Sequence, residues 1–162
     1  EATRVAEPAE LFIAAAREFA AATGQRTVVL TGRKSVAPSG DPNLVLLPRI
    51  EPDQVQYLLA EALLVVSNGG STMIHVLAHR RPLVAIPLAG DQDRRIRRAV
   101  RLQIAETAER KARAIAEAAE RLLREPGRRA AMSRHSTELG IANGVSEAVA
   151  ALLALARQRG KP

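Results

Sequence analysis

The sequence predicts an α/β domain built on a doubly wound parallel sheet, with helices on both faces and a helical C-terminus. Apolar runs of about five residues alternate with longer segments of helical periodicity. The runs are almost continuously apolar, which is typical of parallel strands buried on both faces. The length of 162 residues suits a single domain spanning 1–162.

The first half of the chain is predicted to alternate helix and strand. Apolar residues recur at helical period over 8–23, and a β-branched run predicts a strand over 27–31. A loop rich in proline and glycine then leads to a strand over 43–47. Asp53 is the candidate N-cap of a helix that reaches about residue 61.

The second half continues the alternation and ends in helices. The predicted elements are a strand at 63–66, a helix up to 80, a strand at 83–88, a helix at 94–102, an edge strand at 104–105 and helices at 108–124, 128–138 and 144–157, the last two separated by a loop at 140–144.

The composition favours anionic partners. The chain carries 24 basic and 17 acidic residues, a formal charge of +7. Aromatic residues make up 2%, which leaves no stacking platform for single-stranded nucleic acid, so nucleic acid is not expected as a partner. The absence of cysteine excludes a disulfide framework and a thiolate metal site, and is compatible with a cytoplasmic protein.

The densest basic run consists of five arginines on one predicted helix: Arg94, Arg95, Arg97, Arg98 and Arg101. Such a run is most often a solvated helix face. A role facing phosphate or lipid headgroups, including peripheral contact with a membrane, stays open as the alternative.

A polar turn between an apolar run and a helical segment predicts an anion site. Gly69 and Gly70 allow close approach to the backbone, and the first N–H groups of the following helix lack carbonyl partners. Ser71 or Thr72 can add a hydroxyl. The alternative is a simple turn in which one of these hydroxyls caps the helix.

The order of these segments resembles the C-terminal, donor-binding domain of GT-B glycosyltransferases. The likeness is to the branch with the peptidoglycan GlcNAc transferase, the galactolipid synthases and the UDP-glycosyltransferases. In that branch a strand leads into G-x-x-T-x-x-E, then a proline-led strand, then D-Q or H-Q. Residues 69–75, Pro82, the strand 83–88 and the pair Asp91-Gln92 follow this order, and the resemblance covers nearly the whole chain.

The resemblance implies a site for a nucleotide-sugar donor, UDP-sugar by default. It implies that the turn of Gly69, Gly70, Ser71 and Thr72 cradles the diphosphate. It also implies that the Ile50 backbone contacts the base; core packing of Ile50 is the alternative. Asp91 and Gln92 correspond to the pair that holds the donor's sugar hydroxyls, where the alternative is a capping Asp beside an uninvolved Gln.

Three positions depart from the family pattern. His75 replaces the glutamate that grips the ribose hydroxyls, and a neutral imidazole offers one donor and one acceptor where a carboxylate accepts two bonds. Asn68 replaces a histidine or arginine, and Arg95 replaces an asparagine. The resemblance therefore implies a donor site with weaker or different nucleoside recognition, in which His75 and Asn68 remain candidate binding residues.

The resemblance further implies a part of a hexosyltransferase with no catalytic residue of its own and no metal or other cofactor. The general base and the acceptor site would lie in an N-terminal domain, in cis or on a partner subunit. Two alternatives stay open. One is a nucleotide-sugar hydrolase of the same fold, and the other is a non-catalytic binding or assembly subunit.

Overall fold

The structure is a computed structural model that describes residues 8–141 and 144–159. Within these residues the chain forms seven helices and five strands. In chain order they are α1 (Pro8–Thr23), β1 (Thr27–Leu30), β2 (Leu44–Leu47), α2 (Pro52–Glu61), β3 (Val65–Asn68), α3 (Ser71–Ala78), β4 (Leu83–Ile86), α4 (Gly90–Arg101), β5 (Glu106–Thr107), α5 (Ala112–Arg124), α6 (Pro126–Glu138) and α7 (Val145–Arg159).

The strands form two small parallel sheets. β1 pairs with β2, and β3, β4 and β5 form a second sheet in that order. The predicted α/β class, the parallel strands and the helical C-terminus are therefore confirmed. A single continuous, doubly wound sheet is not confirmed, because no pairing among the described strands joins the sheet of β1 and β2 to the sheet of β3, β4 and β5.

β4 is the centre of the core. Its four residues are fully buried, and they alternate between two apolar clusters. Leu83 and Ala85 belong to a cluster with α2, α3 and α4. Val84 and Ile86 belong to another with α1, α5 and α6. Helices therefore cover both faces of the larger sheet, as predicted.

Helix α1 joins the two sheets. Ala15 packs in the cluster of β4 and α5, while Ile13 packs with Val29 of β1 and Leu44 of β2. The helix ends where Gly24 adopts a φ of +67°, and its N–H donates to Ala20 O at 2.8 Å. A left-handed residue in this place is the usual glycine stop of a helix.

Several predicted boundaries are wrong by a few residues. α2 begins after Glu51, whose N–H donates to Gln54 Oε1 at 3.0 Å, so Asp53 lies inside the first turn and is not the cap. α4 begins at Gly90 and not at residue 94, which places Asp91 and Gln92 in its first turn.

Strand boundaries shift in the same way. β3 spans 65–68 where 63–66 was predicted, and β4 ends at 86, before Pro87. The short edge strand is 106–107 and not 104–105. Ile104 and Ala105 precede it and are buried in the core. Part of the predicted loop 140–144 lies outside the described residues.

α7 presents apolar side chains to solvent. Val145, Val149, Leu152, Leu153 and Leu155 are each about half exposed or more. No helix of the described residues is long and apolar enough to cross a membrane.

Candidate functional site

Two turns lie side by side at the carboxyl ends of β3 and β4. The strands are adjacent and parallel, with Asn68 opposite Ile86. The β3–α3 turn and the start of α4 therefore leave the sheet at the same edge, where ligands of parallel α/β sheets commonly bind. The predicted residues 68–72 and 91–92 are brought together here.

Gly69 is the contact point between these two turns. It is buried, and a Cβ placed on it would lie 2.8 Å from Ile96 Cδ1 and 2.9 Å from Gln92 Cβ. Side chains do not tolerate such distances, so only glycine fits without displacing α4. The structure therefore gives Gly69 a packing role, and its role in anion binding stays a prediction.

The N-terminus of α3 is open. Its N-cap is Gly70, and no side chain caps it within the described residues. Ser71 and Thr72 are exposed at the first two helical positions, so neither acts as the N-cap that the simple-turn alternative required. The first N–H groups of the helix are available to an anion.

Asn68 closes the turn on itself. Its Oδ1 accepts the Gly70 N–H at 3.0 Å. This is the Asx-turn by which asparagine replaces a backbone turn. The interaction orients Gly70 and uses the side-chain oxygen of Asn68, so the Nδ2 group is what Asn68 can offer a ligand.

Asp91 and Gln92 differ in their freedom. Gln92 is half-buried, and its Oε1 accepts the Leu88 N–H at 3.0 Å, which fastens the loop that precedes α4. Asp91 is exposed, and its carboxylate lies 3.7 Å from Arg95 Nη2. An acidic residue in the first turn of a helix also complements the helix dipole.

Arg95 links helix α4 directly to the β3–α3 turn, a role that sequence reasoning missed. Its Nη1 donates to Gly69 O, and its guanidinium also faces Asp91. The spacing of Asp91 and Arg95, four apart on one helix, is a detectable signal for the ion pair. Nothing in the sequence indicates the hydrogen bond to Gly69, which depends on the packing of α4 against the turn.

His75 lies on the side of α3 that faces α2. Gln56 Nε2 lies 3.2 Å from His75 Nδ1, and Gln56 Oε1 lies 2.6 Å from His79 Nε2. This contact occupies Nδ1 of His75 and leaves Nε2 for a ligand. His75 is exposed, so a ligand could reach it.

Ile50 lies in the connection between β2 and α2, where it is half-buried. The preceding Arg49 N–H donates to Arg33 O at 2.7 Å, which ties this connection to the segment after β1. The structure thus places Ile50 with the smaller sheet. The predicted residues 68–72 and 91–92 lie at the larger sheet instead. Helix α2, which follows Ile50 in the chain, places Gln56 beside His75.

Two open surface pockets flank α4. One of about 510 Å³ is lined by Asp91, Arg94, Arg95, Arg98 and Arg101. The other, of about 380 Å³, lies at β5 and α6 and is lined in part by Glu106, Arg128 and His135. The first adjoins the β3–α3 turn through Arg95, whereas the second is lined by none of the predicted site residues.

Comparisons with known proteins leave the site to be interpreted from its own chemistry. No protein-family model matches this chain, and no curated protein matches it either. Among the described residues, no three His, Asp or Glu side chains lie together as a metal site would require.

Proposed function

We propose that this chain is the donor-nucleotide domain of a GT-B glycosyltransferase and holds a UDP-sugar for transfer of a hexosyl group to an acceptor. The proposal includes the finer architecture, in which the two described sheets belong to one Rossmann-like, doubly wound half. The observation that carries it is the convergence of the Asn68–Thr72 turn and the start of α4 at one sheet edge, with Arg95 on Gly69 O.

The diphosphate would lie at the open N-terminus of α3. Charge-assisted hydrogen bonds from N–H groups to phosphate, together with the helix dipole, favour the anionic leaving group. The same groups would stabilise the charge that develops as the bond between the sugar and the diphosphate breaks. Arg95 adds a cation at Gly69, next to this position.

The sugar and the nucleoside would contact different side chains. Asp91 can accept hydrogen bonds from sugar hydroxyls, and Gln92 can donate through Nε2 while its Oε1 holds Leu88. Nε2 of His75 would make one hydrogen bond to a ribose hydroxyl, a weaker contact than two charge-assisted bonds to a carboxylate.

A non-catalytic binding or assembly subunit is the second candidate. Two side-chain oxygens of the candidate site favour it, because they accept hydrogen bonds from the protein's own backbone and are not free for a donor. Asn68 Oδ1 accepts from the Gly70 N–H, and Gln92 Oε1 accepts from the Leu88 N–H. A subunit of this kind would bind nucleotide without supporting transfer when its partner domain is supplied.

Calorimetry with UDP and uridine tests the proposal. UDP should bind and uridine should bind far less, because each charge-assisted hydrogen bond contributes about 1.5–3 kcal/mol. Ser71→Asp places a negative charge at the α3 N-terminus, so it should weaken UDP by about tenfold or more and leave the domain at least as stable.

Ser146→Asp is the matched control, because Ser146 is an exposed serine in the first turn of α7. Its UDP affinity should equal that of the original chain. Equal affinity for uridine and UDP, or equal UDP affinity in both serine variants, would contradict a diphosphate at α3.

A further inference from the structure

A stripe of three arginines runs along the exposed face of α4. Arg94, Arg98 and Arg101 follow one another at spacings of four and three residues, which brings their side chains to one side of the helix. At a rise of about 1.5 Å per residue the stripe is roughly 10 Å long. Ile96 and Ala99 bury the opposite face, so the helix is held in place.

Among the described residues, the stripe has no acidic partner. The acidic residues of α4 are used elsewhere, since Asp91 faces Arg95 at 3.7 Å and Asp93 pairs with Arg97 at 2.6 Å. No carboxylate of the described residues lies within 4.0 Å of a stripe arginine. Like charges three and four residues apart repel, and a bound anion relieves that repulsion.

The stripe lines a concave surface. Together with Asp91 and Arg95 it lines an open groove of about 510 Å³, a volume large enough for a small ligand. The planar guanidinium donates two parallel hydrogen bonds to a phosphate, which a lysine cannot do. Several such groups around one cavity suit a ligand with several phosphate charges.

We propose that this arginine groove (Arg94, Arg98 and Arg101 with Arg95) binds a clustered-phosphate ligand, either a soluble oligophosphate or a phosphomonoester lipid headgroup. Single-stranded nucleic acid fits less well, because no aromatic side chain lines the groove to stack bases. The groove shares Arg95 with the proposed diphosphate site, but the stripe itself is not part of that site and extends along α4 about 9 Å beyond Arg95. It does not depend on the nucleotide function proposed above.

The test compares two triple variants with the same loss of charge. The groove variant is Arg94→Gln, Arg98→Gln and Arg101→Gln. The control is Arg17→Gln, Arg121→Gln and Arg134→Gln, at exposed arginines of α1, α5 and α6. Calorimetry with tripolyphosphate should show at least a tenfold loss of affinity in the groove variant and less than a threefold loss in the control.

Vesicles distinguish the two sources of phosphate. Flotation compares phosphatidylcholine vesicles containing phosphatidic acid, a phosphomonoester, with vesicles containing phosphatidylglycerol, a phosphodiester. Binding to phosphatidic acid that is lost in the groove variant assigns the site to a lipid headgroup. Tripolyphosphate binding without vesicle binding assigns it to a soluble ligand. Either result supports the proposal.

Other outcomes would overturn it: no binding of tripolyphosphate or of either vesicle by the original chain, equal losses in the two triple variants, or tighter binding of a single-stranded RNA than of tripolyphosphate. A fold readout guards the result, because removing like charges should leave the urea midpoint of the groove variant unchanged or higher. UDP titration separates the two proposals, since tripolyphosphate binding that persists without UDP binding would refute the nucleotide site alone.

Discussion

Replacing Gly69 with alanine should loosen the junction between the two turns. The added Cβ would meet Ile96 Cδ1 at 2.8 Å, and both Ile96 Cγ1 and Gln92 Cβ at 2.9 Å. Favourable carbon contacts begin at about 3.5 Å, so α4 would have to retreat by roughly 0.6–0.7 Å. Ile96 is 1% exposed and packs among α3, β4 and α4, so the surrounding core resists this movement.

Overpacking of this kind costs about 1–3 kcal/mol. With a urea m-value of about 2 kcal/mol/M the unfolding midpoint should fall by roughly 0.5–1.5 M. The measurement is equilibrium urea unfolding followed by circular dichroism. Gly90→Ala is the matched control, because a Cβ there meets nothing within 4 Å and Gly90 opens α4.

The control should be neutral or more stable by up to about 1 kcal/mol, since alanine reduces the entropy of the unfolded chain. A midpoint for Gly69→Ala equal to that of Gly90→Ala would refute the close packing of the two turns. The convergence that carries the proposed function would then lose its support.

Three further predictions concern the proposed site and the core. His75→Glu should strengthen UDP binding by about 1–2 kcal/mol, because a carboxylate would supply a bidentate acceptor. An unchanged or lower affinity in calorimetry would show that His75 does not face the nucleoside. The chain assayed alone with UDP-sugars and mixed acceptors should not transfer sugar, because the proposal places the general base and the acceptor site in another domain. Loss of acid–base catalysis alone lowers the rate by about 10²–10⁴. Sugar transfer by the chain alone would contradict the placement of these groups in another domain. Leu122→Ala should lower stability by about 2–5 kcal/mol in urea unfolding, whereas Leu152→Ala on α7 should change it by less than about 0.5 kcal/mol, since Leu122 is 0% exposed and Leu152 66%; similar losses would contradict the described burial.

Elements with a strong apolar pattern could be predicted from the sequence, and their ends could not. The continuous run at 83–86 predicts the buried central strand, because all four side chains must be apolar there. The predicted helix 94–102 begins four residues later than α4 does, because glycine and aspartate, here Gly90 and Asp91, are typical of loops. Acidic residues in the first turn, Asp91 and Asp93, are an N-terminal signal that was available.

Contacts between distant segments could not be predicted at all. The division of the strands into two sheets depends on which edges meet, and apolar runs of similar length do not specify that. The bonds from Arg95 to Gly69 and from Gln56 to His75 each join residues that are far apart in the chain. They depend on how the helices pack, so no local sequence pattern predicts them.

The position of α1 across two sheets has a consequence for local unfolding. The smaller sheet has a modest core of Ile13, Val29 and Leu44, whereas β4 is buried on both faces. Regions with few buried apolar contacts open at lower free energy than the global unfolding reaction. Amide hydrogens of β1 and β2 should therefore exchange well before those of β4. The amide hydrogens of α1 near Ala15 should also exchange later than those of β1 and β2, although Ile13 of the same helix packs on these two strands.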